Sequence, residues 1–277
     1  MGPLAMNHVP VNVSLFNFEP RRGSVRPGLE ACGLRVEDTA LVLQRLGAGA
    51  SIDDVSREIA GGRLLRKRSA TGRKHIVAAV RQRYLGAGPL PGIPALTAAL
   101  ARITVPVARP QLLLPYVLAS DVAAFEIATT LVLPRLATGG RLMMDDVATA
   151  LEALLASRGQ RVWNGAVRTR WAQGLLSVLR DVGALGRGRQ REALQRYAVR
   201  PEVFGFHLWG LYERGLRGAE LHRSRFWRLL LLEPPESRRL VVVVADHGWW
   251  KFTSAGGTDE LVPMHGSLTE WIDVALG

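Results

Sequence analysis

Residues 164–188, NGAVRTRWAQGLLSVLRDVGALGRG, and the overlapping run 187–204, RGRQREALQRYAVRPEVF, decide the fold. In the first, Val167, Trp171, Val178, Leu179 and Val182 recur at helical spacing and face inward, leaving Arg168, Arg170 and Arg180 for the outer side. Gly183 is placed to close that helix, since a glycine just past the last turn adopts the left-handed backbone without steric cost. The second run is too basic and too broken for a core, and its Tyr197, Val199 and Val203 alternate like a short strand leaving a loop. Helix, glycine-bounded turn and basic hairpin, in that order, predict a winged helix, whose helix enters a groove while the hairpin lies on phosphates. The expected fold class is mainly α with short β-hairpins, a helical bundle carrying winged-helix-like elements.

Working toward the N-terminus, VEDTALVLQRLGAG (36–49) reads as a helix closed by Gly47. SIDDVSREIAGG (51–62) reads as a second, with Ser51 as N-cap, Asp53 and Asp54 in the positive first turn and Gly61 beyond its end. A third should start near Ser69 and carry Ile76, Val77, Val80 and Tyr84 inward, with Arg73, Lys74 and Arg81 outward. Residues 86–110 hold five prolines and three glycines, a connector around a short helical piece. That composition divides the chain into an N-terminal basic, helix-turn-helix-like domain, 1–90, and a C-terminal domain, 91–277. Residues 111–134 form two buried helices, the second capped by Ser120, and residues 145–159 form a core helix capped by Asp145, with Val147, Ala150, Leu151, Leu154 and Leu155 as its stripe.

Toward the C-terminus, the segment FWRLLLL is expected to be helical and to stop at Pro234 and Pro235. The run Val241 to Val244 suits a strand or a buried helix equally by periodicity. Residues 249–264 predict a β-hairpin turning at Gly256 and Gly257, and Ser267 with Glu270 opens a last helix. Trp171, Trp227 and Trp271 fall on apolar stripes and belong to the core; Trp249 and Trp250, as neighbours on a strand, point to opposite sides, which leaves room for one to meet a base or a partner protein, with simple packing the favoured reading.

Charge points to a partner class. The 36 cations meet only 24 anions, a formal charge of +12, which suits a polyanion. Residues 61–86 carry eight Lys or Arg and no carboxylate, and residues 158–200 carry ten Arg against Asp181 and Glu192. The candidate nucleic-acid contacts are Arg63, Arg66, Lys67, Arg68, Ser69, Thr71, Arg73, Lys74 and Arg81 in the first segment. In the second they are Arg168, Arg170, Arg187, Arg189 and Arg191. Both segments are poor in aromatic rings, which single-strand and RNA binders use as stacking platforms, so duplex DNA is the expected partner and RNA the less favoured one.

Catalytic constellations are not apparent. Cys32 is the only cysteine, and the six histidines show no paired ligand spacing, so no metal site is expected. Asp53 with Asp54 and Asp145 with Asp146 sit at helix starts, where capping explains them. Asp246 and Lys251 evoke a nuclease, but Trp249 occupies the place of the second carboxylate. No phosphate-cradling or dinucleotide-binding glycine loop occurs, and no cofactor is expected. Pro115, Asp121 and Glu126 interrupt the longest apolar stretch, so no membrane association is expected, and a cytoplasmic location follows as an expectation.

The order of several segments is similar to that of the BrxA family of bacterial BREX phage-defence systems. These are LFNFEPRRGSVRPGLEACGL near the start, GGRLLRKRSATGRKHIVAAVRQRYL, LLLPYVLASDVAAFE, VWNGAVRTRWAQGLLSVLRDVGAL, FWRLLLL and HGWWKFTSAGGTDELVPMHGSLTEWI. The resemblance implies a mostly helical, non-enzymatic protein with winged-helix-like elements that binds DNA. It also implies other BREX proteins as partners, among them a methyltransferase, an alkaline-phosphatase-like protein and ATPases. The family's likeness to NusB, an RNA-binding factor, keeps RNA binding open as an alternative, beside a scaffold role in the defence complex.

Overall fold

A computed structural model describes residues 25, 28–29, 33–65, 69–85 and 90–277. Three helices, α1 (Val36–Gly47), α2 (Ile52–Ala60) and α3 (Ala70–Tyr84), come first. As the sequence predicts, Ser51 and Ser69 cap α2 and α3 by accepting the backbone N–H of Asp54 and Gly72, each at 3.1 Å. The connector holds α4 (Ile93–Arg102), which packs on α1, and leads into α5 (Ala108–Ser120), against which α3 lies.

The apolar stretch then continues as α6 (Val122–Ile127), a π-helical turn at Ala128–Val132 and α7 (Leu133–Thr138). This arm is bent by 112° from α5, and among the described residues no single helix is long and apolar enough to cross a membrane. The cap at the bend is Asp121, whose carboxylate accepts the Ala124 N–H at 3.0 Å, and not Ser120, which ends α5 with its hydroxyl turned back to the Val117 carbonyl. Asp121 immediately precedes the first helical residue, Val122, with extended backbone, the position from which a side-chain oxygen reaches the N–H two or three residues on.

Next come α8 (Met144–Ser157) and α9 (Gly165–Asp181). Helix α8 is capped two residues earlier than expected: Met143 and not Asp145 is the N-cap, and Asp146 reaches back to accept the Met143 N–H at 2.8 Å. Its carboxyl is held below the usual range chiefly by the Arg135 guanidinium. The stripe Val147, Leu151 and Leu155 is buried. Helix α9 opens at Asn164, which accepts the Val167 N–H at 2.9 Å, and Gly183 follows its end with φ +83°.

After α9 the expected strand of Tyr197, Val199 and Val203 does not form. The loop is pinned by two isolated antiparallel bridges, Leu185 to Leu194 and Arg141 to Ala193, and Val203 belongs to α10 (Pro201–Glu213). Pro201 explains the difference: its fixed φ suits the first turn of a helix, and its missing N–H would break a ladder. The chain continues through α11 (Ala219–Arg223), a 3₁₀ segment at Arg225–Leu230 and α12 (Pro234–Asp246). Pro234 and Pro235 thus start a helix that contains Val241 to Val244, instead of ending one.

The hairpin of β1 (Trp250–Ala255) and β2 (Thr258–Pro263) turns at Gly256 and Gly257, both at positive φ, and α13 (Leu268–Ala275) closes the chain. A cluster of buried apolar side chains reaches from Val25 to Ile272 and includes Trp171, Trp227, Trp250 and Trp271. Trp249 is half-buried, stacked on His247 and edge-on to Trp271.

Candidate nucleic-acid interface

The first basic segment is less bare in space than in sequence. Helix α2 supplies the carboxylates that residues 61–86 lack: Arg81 pairs with Asp53, and Arg63 lies close enough to Glu58 to help hold its carboxyl below the usual range, after the dominant hydrogen bond from Arg45. Ser69 is engaged as the cap of α3, and Thr71 is exposed beside it. Lys74 is exposed and Arg73 half-buried, two turns before Arg81 and on the same side of α3. Arg83 turns the other way. It is 4% exposed and donates to the Gly33 carbonyl at 2.8 Å and the Gly28 carbonyl at 3.4 Å, a structural bond no charge count reveals. Arg66, Lys67 and Arg68 lie outside the described residues.

The second segment is arranged around α9. Its core side carries Trp171, Leu175, Val178 and Leu179, all buried. Trp171 donates from its indole to Asp121 at 3.2 Å, and the burial of that carboxyl raises its pKa against those bonds. A further flank is covered by the N-terminal segment: the Val25 N–H donates to Gln160 at 2.9 Å just before α9, Leu29 crosses at Gly174, and Gly33 meets Ser177. No residue of α9 after Gln173 is exposed, whereas Gly165, Ala166, Thr169, Arg170 and Gln173 are. The open part is the N-terminal half of the helix.

Of the predicted arginines in this segment, Arg168 is tied to Glu152 on α8, while Arg170 is exposed and makes no ion pair among the described residues. Arg187, Arg189 and Arg191 all stand exposed on the loop after α9. Arg189 has no acidic partner among the described residues, and Arg187 and Arg191 reach Asp181 and Glu192 only at 3.9 Å. Arg180 sits half-buried beneath them. Burial and the neighbouring Arg191 charge lower its pKa, a cationic crowd that an anion would relieve. Thr169 and Gln173 escape a reading based on charge because neither carries any, and their signal is exposure on the same helical face as Arg170.

Among the described residues no group of three or more His, Cys, Asp or Glu is placed to hold a metal ion. His207 is buried, with Nε2 3.3 Å from the Leu112 carbonyl and its pKa pushed down to about 3 by desolvation. His222 is buried against Asp259 at 2.7 Å. Both are structural.

Comparison with known proteins is decisive at family level. The BrxA family model matches residues 26–207. The chain belongs to the BrxA family. Membership implies a role in BREX phage defence, as the order of segments suggested. Comparison with curated proteins gives no match. Among solved structures the chain is similar to an uncharacterized protein from Magnetospirillum magneticum, with a TM-score of 0.57 at 13% identity, covering 75% of this chain and 98% of that one. At that identity the two share a fold, and the comparison speaks to architecture alone.

Proposed function

We propose that this BrxA-family chain acts without catalysis, as a duplex-DNA-binding component of its defence system, and that it grips DNA through the first half of α9 and the arginine-bearing loop behind it. The observation that carries the reading is the order of elements from 122 to 194. A helical arm is followed by the bridge residue Arg141, then α8, α9, the bridge residue Leu185, the exposed loop and the return bridge at Leu194. We read this order as that of a winged helix with the strands shortened to single bridges, α9 taking the recognition position and residues 186–193 the wing. Such proteins read base edges from the N-terminal part of the recognition helix, the part of α9 that is open.

Charge on this face supports the reading. Arg161, Arg170, Arg187, Arg189 and Arg191 are exposed, so about five phosphates are within the means of the face. Each neutralised phosphate steepens the salt dependence, which predicts a log–log slope of about −4.5 on a duplex. Fluorescence anisotropy on a 30-base-pair duplex across a salt series tests it. Replacing Arg170, Arg187, Arg189 and Arg191 by Ala should flatten the slope by about one for each phosphate that is no longer neutralised. A slope near zero for the unaltered protein, or an unchanged slope for the variant, overturns the reading.

A further inference from the structure

A cavity of about 750 Å³ lies where the start of α1, the turn between α4 and α5, and the end of α9 with the loop behind it converge. Val36, Pro106, Val107, Pro110 and Leu185 give it an apolar wall. Its charged lining is Arg35, Arg180 and Arg187 with Glu37, Asp38 and Asp181. These carboxylates are not equivalent. Arg109 donates to both oxygens of Glu37, at 2.9 and 3.2 Å, and Asp38 has an interaction of its own. Asp181 accepts no hydrogen bond among the described residues: its one ion pair, to Arg187, spans 3.9 Å, and Arg187 donates instead to the Arg180 carbonyl at 3.5 Å. Burial raises the pKa of this half-buried carboxyl, whose lone pairs are unused. Arg180 donates only to the Arg191 carbonyl, at 3.4 Å, and Arg35 is exposed with no ion pair among the described residues.

We infer that this cavity binds a free guanine nucleotide, the base donating its N1–H and 2-amino group to Asp181 and the phosphate meeting Arg35 and Arg180. A carboxylate with both oxygens open takes two adjacent N–H donors, and of the common bases guanine presents that pair on its Watson–Crick edge. The volume falls in the range of small-molecule sites, and the apolar wall suits a flat ring. A phosphate alone would set a like charge beside Asp181 and leave the wall wet. Free arginine has the donor pair and an anionic end but brings no ring to the wall. An unpaired guanine at the end of a strand carries the same groups as the nucleotide, and the experiment separates the two. Neither Asp181 nor Arg35 is among the duplex contacts, so failure of one reading leaves the other standing.

The test is titration calorimetry of the full-length protein with GMP, AMP, guanosine and L-arginine at equal salt. GMP should bind saturably with a Kd of about 100 µM or tighter, and AMP and arginine should bind about tenfold more weakly or not at all. Asp181→Asn turns one acceptor into a donor at unchanged size. It should lose about tenfold for GMP and gain xanthosine monophosphate, whose ring carries a carbonyl in place of the 2-amino group. Arg35→Gln should weaken GMP about fivefold and leave guanosine as it was, because only the phosphate contact is removed.

The exchange of GMP for xanthosine monophosphate is a gain of binding, which a variant that merely fails to fold cannot show. Absence of GMP binding, equal binding of GMP and AMP, arginine binding as tightly as GMP, or an Asp181→Asn protein without the exchange overturns the inference. A duplex with an unpaired dG end that binds more tightly than one with a dA end, and that GMP does not displace, would assign the cavity to nucleic acid; that also overturns it.

Discussion

The buried side chain of Gln111 accepts the backbone N–H of Arg200 at 3.0 Å, and its amide donates to the carbonyls of Val182 at 3.1 Å and Ala198 at 3.0 Å. One glutamine on α5 therefore holds both ends of the cationic loop that runs from 183 to 199. Replacing it by Ala strands one N–H and two carbonyls where water has little access, each worth about 1–3 kcal/mol when unpaired. We expect Gln111→Ala to lose about 2–4 kcal/mol in urea melts. Amide hydrogen exchange should quicken at 183–200 more than in α12. Uniform quickening would show that the clasp has no local role.

Gly174 offers a sharper sign. In the middle of a helix, Gly→Ala ordinarily stabilises by about 1 kcal/mol. A methyl group at position 174, however, would lie 2.4 Å from the Leu29 carbonyl oxygen, which belongs to backbone and cannot swing aside. Gly174→Ala should therefore destabilise, and it should loosen Leu29 from α9, seen as earlier proteolytic cleavage next to Leu29. A raised melting temperature would show that the segment yields cheaply.

Arg83 should behave as a core residue despite its place in the basic segment. Arg83→Ala removes donors to two carbonyls and a positive charge beside the buried Asp121 carboxyl, leaving that carboxyl's burial less compensated. A loss of about 2–4 kcal/mol is expected, against no more than about 0.5 kcal/mol for the exposed Lys74→Ala. Thermal or urea melts of the two variants side by side decide it; similar effects would place Arg83 at the surface.

The caps Ser51, Ser69 and Ser267 were legible because capping is local, each lying within three residues of the N–H it accepts, while those expected at Ser120 and Asp145 were misplaced by one or two residues. The hairpin was legible from Gly256 and Gly257 for the same reason. What failed was non-local or turned on one residue. Alternation alone suggested a strand through Val203, and Pro201 decided for a helix. The acids answering the basic segment came from α2, and the covering of α9 by Leu29 and Gly33 is a contact across more than 140 positions. Charge was legible as a partner class, yet its sorting into structural Arg83, paired Arg168 and open Arg170 needed the packed chain.

Acid stability should be governed in part by His207. Its imidazole is buried among Tyr116, Phe206 and Phe226 and titrates at about 3, against about 6.5 in the unfolded chain. Below pH 6.5 the unfolded state therefore binds the extra proton. The contribution is complete above pH 6.5 and is lost as the pH falls from there toward 3, at up to about 1.4 kcal/mol per unit. His207→Phe keeps the ring packing and removes the titration, so its melting temperature should fall less steeply between pH 6.5 and 4.5. Parallel slopes for the two proteins would remove His207 from the acid limb.

If α9 reads bases, its two uncharged exposed side chains should carry selectivity that the loop arginines do not. A glutamine can present donor and acceptor together to adenine, and a threonine offers a hydroxyl and a methyl to base edges, whereas Arg187, Arg189 and Arg191 on the loop meet phosphates of any sequence. Thr169→Ala/Gln173→Ala should leave the salt slope unaltered and level the preference among duplexes selected from a random pool, by about 1–3 kcal/mol for each base edge left unread. Arg189→Ala should do the reverse, lowering affinity for every duplex alike and flattening the slope. Selection from the pool with each variant reads both. Identical enriched sequences for the Thr169/Gln173 variant and the unaltered protein would mean that α9 contributes position and charge to the complex without reading its sequence.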